Sequence, residues 1–335
     1  MLRLCAAVAL IGVVVAIASA CGGDDDITII TPIPANASPS ATTVTANPPP
    51  DPMEFRVVLL NLLSPVSLDA TDTSPSDTFD ERLRIAIDQL KEFKPDLIAL
   101  NEVTKTAAHG SVKDRLAVEL KMEAVYVPAK PWIPGQTRDQ NAEFAQKYGL
   151  AEEGELILIR SDRFPVLGYE QKWLNPRDSE LGGPAALHVR LKGPDALGEI
   201  DIFLSQLSGG DSRIRSLQAA DFAKFIKAEK GSGPSIVLGD FGDPAGSATQ
   251  KAFVDIGMSD VLEQSGLNTC CRPSVLGPQP ELVSRTDYVM TSQWAPTALS
   301  VFVAEPKKRE DGTLLYASDH NGLAAIFPIA PKNNP

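Results

Sequence analysis

The sequence has few basic residues for its length, and this shortage limits the partners that it can bind. Its 335 residues include 31 Lys and Arg against 43 Asp and Glu, a formal net charge of -12. Because phosphate contacts are made mostly by Lys and Arg, this balance argues against a basic surface for long nucleic acids. It does not exclude a phosphoester substrate, since an acidic site that holds a divalent cation supplies positive charge locally.

Cysteine is also scarce, with 4 in the whole chain. So few cysteines do not make a disulfide framework, and the clustered spacing of a zinc site is absent from the sequence. Cys270 and Cys271 are adjacent. We expect this pair to be buried or bonded to each other rather than to serve a metal or redox role.

The one long apolar run, residues 4–17, is shorter than the roughly 20 residues that a membrane-spanning helix needs. It follows a basic Met1-Leu2-Arg3 start and precedes small residues and Cys21, an order that indicates an export signal. The junction resembles a bacterial lipobox, which implies that residues 1–20 are removed and Cys21 is lipidated. The protein would then be anchored to the bacterial membrane outside the cytoplasm. Ordinary secretory cleavage and an uncleaved anchor helix remain alternatives.

The segment that follows, residues 21–52, has no aromatic residue and is rich in Thr, Pro, Ala and Asn. Such a composition cannot bury enough apolar area to offset chain entropy. We therefore predict a flexible tether that holds a folded domain, residues 53–330, away from the membrane surface, with a short tail at 331–335.

Short apolar runs alternate with helical patterns along this domain. Helices are predicted at 80–93, where Leu83, Ile87 and Leu90 share one face, and at 212–229. The predicted strands are 55–60, 97–100, 155–159, 185–191, 200–205, 236–238, 286–290 and 323–327. This mixture predicts an α+β domain built of packed layers.

Polar side chains stand where several of the predicted strands end. Asn61, the pair Asn101-Glu102 and Asp240 each follow a short apolar run. A strand buried on both faces fixes its last residue, so oxygens from several strand ends can converge on a hard cation such as Mg²⁺. At any single strand end a capping or turn acid is the common alternative. Two later motifs, Arg285-Thr286-Asp287-Tyr288 and Ser318-Asp319-His320, make the series more specific, because one of only 3 histidines directly follows an aspartate.

Taken in order, these motifs resemble the endonuclease/exonuclease/phosphatase superfamily, which includes DNase I. The resemblance extends from about Phe55 to Phe327 and includes residues 153–158, 215–218 and Thr269-Cys270-Cys271. It implies a four-layer α/β/β/α sandwich of two mixed β-sheets. The roles that it implies are Mg²⁺ (or Mn²⁺) binding by Asn61, Glu102 and Asp319, catalysis by Asp240, Asp287 and His320, and substrate binding by Gln206 and Arg215. Asp240 would orient or deprotonate water, and His320, held by Asp287, would stabilise charge on the phosphoryl oxygens.

Two positions depart from the family pattern. Gly242 stands where the family has an asparagine whose amide contacts the phosphate, and Gln206 stands where it has a histidine. Asp243 could turn inward instead, but a carboxylate would repel a phosphate unless a cation intervened. Gln206 keeps a donor but cannot carry a proton.

The sequence therefore predicts a Mg²⁺-dependent phosphoesterase acting on a nucleotide, a nucleic acid or a lipid head group outside the cytoplasm. Its partners would be that substrate and, through the N-terminal lipid, the membrane, with no protein partner. A catalytically impaired domain that binds a phosphorylated ligand is the first alternative, and a structural surface lipoprotein is the second, since a fold alone does not dictate function.

Overall fold

A computed structural model of the chain describes residues 28–29, 53–65, 78–130, 150–177, 183–194 and 197–329. The strands are β1 Thr28–Ile29, β2 Glu54–Asn61, β3 Leu97–Thr106, β4 Gly110–Ser111, β5 Glu123–Lys130, β6 Leu150–Ile159, β7 Val166–Trp173, β8 Ala185–Lys192, β9 Glu199–Ser205, β10 Ser235–Asp240, β11 Ser259–Asp260, β12 Asp287–Ser292, β13 Ala298–Phe302, β14 Lys307–Lys308, β15 Leu314–Leu315 and β16 Gly322–Pro328. The helices are α1 Phe79–Phe93, α2 Val112–Leu120, α3 Ser212–Glu229 and α4 Ala248–Val254.

Two mixed sheets form the centre of the molecule. The first has the order β1-β13-β16-β2-β3-β6-β5, with β4 paired to β3, and the second has the order β11-β12-β10-β9-β8-β7. Parallel pairs, β2 with β3 and β9 with β10, lie beside antiparallel ones in each sheet. A parallel pair needs a crossover connection, and α1 and α3 provide it.

Three apolar clusters show how the layers pack. Side chains from the facing sides of both sheets, such as Leu59 and Leu238, form the central cluster. A second cluster fills the space between the first sheet and helices α1 and α2, and a third lies between the second sheet and helices α3 and α4. The order of layers is therefore helix, sheet, sheet, helix, and the predicted α/β/β/α sandwich is confirmed.

Local sequence explains where the two long helices lie. In α1, Leu83, Ala86, Ile87 and Leu90 are buried on one face, and Lys94 ends the helix in the left-handed region ahead of a proline. Helix α3 begins after Asp211, whose side chain accepts a hydrogen bond from the Arg213 N–H. The predicted helix at 212–229 is confirmed, and the other begins one residue before its predicted start.

Several sequence predictions concern the two ends of the chain, most of which the structure does not describe. Cys21, the signal segment, most of 21–52 and the tail at 331–335 lie outside the described residues, so the signal, tether and lipidation remain predictions. Within the predicted tether the structure describes one short strand, β1, which pairs in parallel with β13. In the described part of the chain, no helix has the length and apolar character needed to cross a bilayer.

Candidate active site

The strand ends predicted to carry oxygen ligands meet at one end of the two sheets. Asn61 at the end of β2 lies in register with Asn101 of β3, and Asp240 at the end of β10 lies opposite Asp287 at the start of β12. Gln206 directly follows the end of β9, which pairs with β10. The two sheets therefore bring five polar side chains to one edge of the sandwich.

Glu102 is turned toward this edge by an irregularity in its strand. The pairing of β3 with β6 shifts register between Leu100 and Val103, and Glu102 has a φ of 60°. A β-bulge re-aims a side chain, and a non-glycine residue in the left-handed region persists only where its surroundings hold it there. The backbone at Glu102 is thus built to present one carboxylate at the site.

Three donors hold that carboxylate. The Asn61 and Gln206 side-chain amides each donate to Glu102 Oε1 at 2.9 Å, and the Ser64 backbone N–H donates to Oε2 at 2.7 Å. These hydrogen bonds fix the position of the Glu102 carboxylate at the site. Gln206 therefore contacts a predicted metal ligand, and its role toward a substrate remains a prediction.

Asp240 lies across the site from Glu102. Its Oδ1 accepts the Gly242 N–H at 3.0 Å, and its Oδ2 accepts the Asn61 amide at 3.3 Å. Burial, together with the charge of Asp287, raises the pKa of Asp240 to about 6. Asp240 is consequently a stronger proton acceptor than an ordinary aspartate.

His320 and Asp287 form a buried pair. His320 Nδ1 lies 2.8 Å from Asp287 Oδ2, and its other ring nitrogen, Nε2, lies 3.8 Å from Asp240 Oδ2. Burial opposes a charged imidazole, but the charges of Asp287, Asp319 and Asp240 outweigh it and hold the pKa of His320 well above its usual value. The ring is thus fixed through Nδ1 and presents Nε2 to the site.

Asp319 precedes this histidine and completes the predicted set. Ser318 Oγ donates to Asp319 Oδ1 at 3.2 Å, and Arg272 N–H donates to the Asp319 carbonyl at 2.8 Å. Burial, reinforced by the charge of Glu102, raises the pKa of Asp319, although His320 opposes this shift. Asp319 and Glu102 are therefore close enough for each charge to oppose the other.

The donor set fits a hard divalent cation. Glu102, Asp240 and Asp319 are carboxylates brought to one edge of the sandwich, and desolvation and neighbouring negative charges raise the pKa values of Asp240 and Asp319. Carboxylate and amide oxygens are the ligands of Mg²⁺, and a bound cation would relieve this repulsion. Asn61 uses its amide nitrogen on two of these acids, and its Oδ1 accepts the Leu63 N–H at 2.9 Å. Asn61 thus orients the acids directly, whereas its role as a ligand remains a prediction.

Arg215 is paired with an acid in this structure, and its predicted contact with a substrate stays a prediction. Its guanidinium forms an ion pair with Asp243, whose other oxygen accepts a 2.6 Å hydrogen bond from Thr249 Oγ1. Asp243 is buried and turned inward, and both of its carboxylate oxygens are taken by these partners. Gly242 lies between them with a φ of 67°, and a Cβ placed there would be 2.8 Å from Arg215 Cδ. The arginine stem occupies the space of the missing asparagine side chain.

The cysteine pair lies beside the predicted catalytic histidine. Cys270 and Cys271 form a disulfide. Cys271 is exposed, and its Sγ lies 3.5 Å from His320 Nε2. The pair is therefore part of the wall of the site, although the sequence offered no role for it.

Two residues outside the predicted set of site residues hold the site together. Asn101 accepts the Asp240 N–H at 3.1 Å and donates to the buried Glu155, so it links the two sheets. Arg82 on α1 is fully buried, and its guanidinium donates to the carbonyls of Leu62, Leu63 and Ala317. It therefore joins the segment after β2 to the segment that leads to His320. Asn101 directly precedes Glu102, which was a usable signal, whereas a buried arginine on a helix gives none.

Comparisons with known proteins identify the fold. No family model matches the sequence, and no curated protein sequence matches it. Among solved structures, the chain is similar to an endonuclease/exonuclease/phosphatase family protein from Bacteroides thetaiotaomicron, with a TM-score of 0.62 and 17% identity over 83% of this chain and 98% of that one. It is also similar to a mannosyl-6-phosphatase from Bacteroides thetaiotaomicron VPI-5482, with a TM-score of 0.61 and 18% identity over 81% and 98%.

A third similar structure is the catalytic domain of human Nocturnin with a bound sulfate anion, with a TM-score of 0.59 and 19% identity over 82% of this chain and 93% of that one. Sequence identities this low show that the proteins share a fold, but they do not show that the proteins share a substrate. The layer order and the sheet pairings described above agree with that fold. The protein therefore has the DNase I-like fold of the endonuclease/exonuclease/phosphatase proteins.

Proposed function

We propose that the protein is a divalent-metal-dependent phosphoesterase. The observation that carries this proposal is the joint placement of the Asp287–His320 pair, Asp240 and the triply held Glu102 at one end of the two sheets. Phosphoester hydrolysis needs positive charge on the phosphate, an oriented water and a donor to the phosphoryl oxygens. A fold shared with a protein described as a phosphatase, and with one solved with bound sulfate, supports the same chemistry.

Glu102 would be the principal ligand of Mg²⁺ or Mn²⁺, assisted by Asn61 and Asp319. When bound, the cation withdraws electron density from the phosphoryl oxygens and neutralises their charge. Three donors fix the position of the Glu102 carboxylate before any cation arrives. A ligand held in this way loses little conformational freedom on binding.

Asp240 would take the proton from the attacking water. Its Oδ1 is committed to the Gly242 N–H at 3.0 Å, while Oδ2 faces His320 and has only a long contact with Asn61. The water oxygen forms the new bond to phosphorus as its proton passes to Oδ2, and the bond between phosphorus and the ester oxygen breaks. The leaving oxygen then takes up a proton.

His320 would donate from Nε2 to a phosphoryl oxygen as charge builds there. Asp287 accepts from Nδ1 at 2.8 Å, which fixes the ring and supports its positive charge. The donor is already oriented in the folded protein, so little reorganisation is needed during the reaction. We assign substrate contacts to Gln206 and Arg215 only through the family resemblance.

Hydrolysis of bis-p-nitrophenyl phosphate by the full chain, with and without Mg²⁺, tests this proposal. We expect metal-dependent turnover that falls by about 10²- to 10⁴-fold in His320→Ala. His109→Ala is the matched control. His109 Nδ1 also lies 3.1 Å from an aspartate oxygen, Asp80 Oδ2, but this aspartate belongs to helix α1 and not to the candidate site. Equal rates in the two variants would refute the assignment of the site.

A second candidate function is binding of a phosphorylated ligand without turnover. The arginine stem that fills the space beside Gly242 favours it, because that space no longer holds an amide for the phosphate. Such a protein would be stabilised against heat by inorganic phosphate or a nucleotide yet hydrolyse nothing. Turnover in the assay above would exclude it.

We also propose that the protein is a lipoprotein exposed outside the cytoplasm. The support is the order of a basic start, an apolar run and small residues ahead of Cys21 in the sequence. Expression with labelled palmitate should label the chain, and Cys21→Ser should abolish the label. Labelling that survives this substitution would contradict the proposal.

A further inference from the structure

We propose that, once their disulfide is reduced, Cys270 and Cys271 form with His320 a binding site for a zinc-like cation, and that this cation switches the enzyme off. The three side chains come from two distant segments of the chain, since Cys271 and His320 are 49 positions apart. Their ligand atoms all lie within 4.8 Å of one another. This spacing in three dimensions is what the sequence alone did not show.

The distance between sulfur and nitrogen already suits a metal. Zinc binds cysteine sulfur at about 2.3 Å and histidine nitrogen at about 2.0–2.1 Å in tetrahedral geometry, which places the two ligands about 3.6 Å apart. Cys271 Sγ and His320 Nε2 are 3.5 Å apart. One cation could therefore bind both atoms with little movement of either side chain.

His320 is also oriented as a metal-binding histidine. Asp287 Oδ2 lies 2.8 Å from Nδ1, which leaves Nε2 as the nitrogen that faces Cys271. A carboxylate on the far nitrogen of a ligating histidine fixes the ring and increases its basicity. The carboxylate that supports catalysis in the proposed function thus also supports a metal at Nε2.

The backbone would keep the two thiols in place after the disulfide opens. Cys270 N–H donates to the Ser284 carbonyl at 3.0 Å, and Asn321 N–H donates to the Thr269 carbonyl at 2.8 Å. Arg272, next to Cys271, donates its N–H to the Asp319 carbonyl at 2.8 Å. The segment that carries the cysteines is therefore tied to the segment that carries His320 on both sides of the pair.

Cysteine must lose its proton to bind a metal, and the disulfide must first be broken. A phosphine reductant attacks one sulfur, the S–S bond breaks, and water supplies the oxygen of the phosphine oxide and the two protons of the thiols. The cation then binds both sulfurs and His320 Nε2, and it releases the two thiol protons together with the proton that the charged imidazole carries on Nε2. Cys271 is exposed, so reductant and cation can both reach the pair.

The inhibitory part of this inference rests on the proposed function. A cation on Nε2 occupies the nitrogen that would donate to the phosphoryl oxygen. Exchange with a disulfide oxidant, which is reduced to two thiols as the Cys270–Cys271 bond re-forms, removes the two sulfur ligands, releases the cation and frees Nε2 for catalysis. The pair would then permit activity in an oxidising compartment, where disulfides persist, and allow inhibition in a reducing one.

The binding test uses the full chain, reduced with a phosphine that is then removed, and Zn²⁺ titrated against a chromophoric chelator. The controls are the oxidised chain and Cys270→Ser with Cys271→Ser, which keep the other cysteines and the carboxylate site. We expect one tightly held Zn²⁺ more in the reduced chain than in either control. We also expect Asp287→Asn to weaken that site by about 10- to 100-fold. Equal zinc binding in all three samples would overturn the inference.

Activity measured on the same samples separates this inference from the proposed function. With Mg²⁺ present, Zn²⁺ should inhibit the reduced chain and spare the other two. Inhibition of all three samples at the same Zn²⁺ concentration would place zinc at the carboxylates and overturn the inference, leaving the phosphoesterase intact. An extra bound Zn²⁺ in a chain that never hydrolyses the substrate would support the site and contradict the proposed function.

Discussion

Replacing Gly242 should destabilise the protein more than replacing another glycine of similar backbone conformation. Gly242 has a φ of 67°, and a Cβ there would lie 2.8 Å from Arg215 Cδ and 3.2 Å from Nε. A flexible arginine could move aside, but this one is paired with the buried Asp243. The crowding therefore cannot be relieved without breaking that ion pair.

The size of the effect follows from two contributions. An alanine in the left-handed region costs roughly 1–2 kcal/mol, and overpacking a well-packed site costs typically 1–3 kcal/mol. We expect Gly242→Ala to lose about 2–5 kcal/mol of unfolding free energy. Gly246→Ala is the matched control, because Gly246 has a φ of 81° with nothing within 4 Å of its Cβ. It should lose only the first contribution, about 1–2 kcal/mol.

Urea unfolding of the two variants measures both values, and a double variant isolates the contact. Gly242→Ala with Arg215→Ala should cost less than the sum of its single changes, by about 0.5–3 kcal/mol, because the two sites are in contact. The reasoning would be refuted if Gly242→Ala and Gly246→Ala lost the same free energy.

Three further predictions concern the site. Asp287→Asn should lower kcat on bis-p-nitrophenyl phosphate by about 10²- to 10⁴-fold. The control is Asp201→Asn, which changes the buried pair of Asp201 with His188 and should leave kcat unchanged. Equal losses in the two variants would contradict the role assigned to Asp287. Asn101→Leu should lower the unfolding free energy in urea by about 1–3 kcal/mol, because it removes the side-chain acceptor of the buried Asp240 N–H and one donor to the buried Glu155. An unchanged midpoint would count against the link between the sheets. Gln206→Leu removes a donor to Glu102 and should raise the Mg²⁺ concentration for half-maximal rate by about 10- to 100-fold; an unchanged metal dependence would separate Gln206 from the metal site.

The strands and main helices of the fold could be predicted because their buried faces show in the sequence. Runs such as 97–100 and 236–238 are apolar at every position, as strands buried on both faces must be. The missed elements lack this signal. Strand β7 is an edge strand whose middle is exposed, and α4 has only seven residues, too few for a helical period to be clear.

The candidate site was predictable at the level of residues and not of contacts. Polar residues after apolar runs indicated Asn61, Glu102 and Asp240. Parallel pairing of β2 with β3 brings the first two together, and the packing of the two sheets adds Asp240 from β10. The bulge that turns Glu102 depends on the pairing of β3 with β6, which no local pattern encodes. Contacts such as Arg215 with Gly242 join residues far apart in the chain and emerge only from packing.

The most direct test of the central claim is the metal dependence of hydrolysis. The full chain should be stripped with EDTA and its rate on bis-p-nitrophenyl phosphate followed as Mg²⁺ is added back, beside Glu102→Gln. The account predicts no turnover in EDTA, saturable recovery with Mg²⁺, and a variant that recovers only at far higher Mg²⁺ or not at all. Full activity in EDTA, or equal recovery by Glu102→Gln, would contradict it.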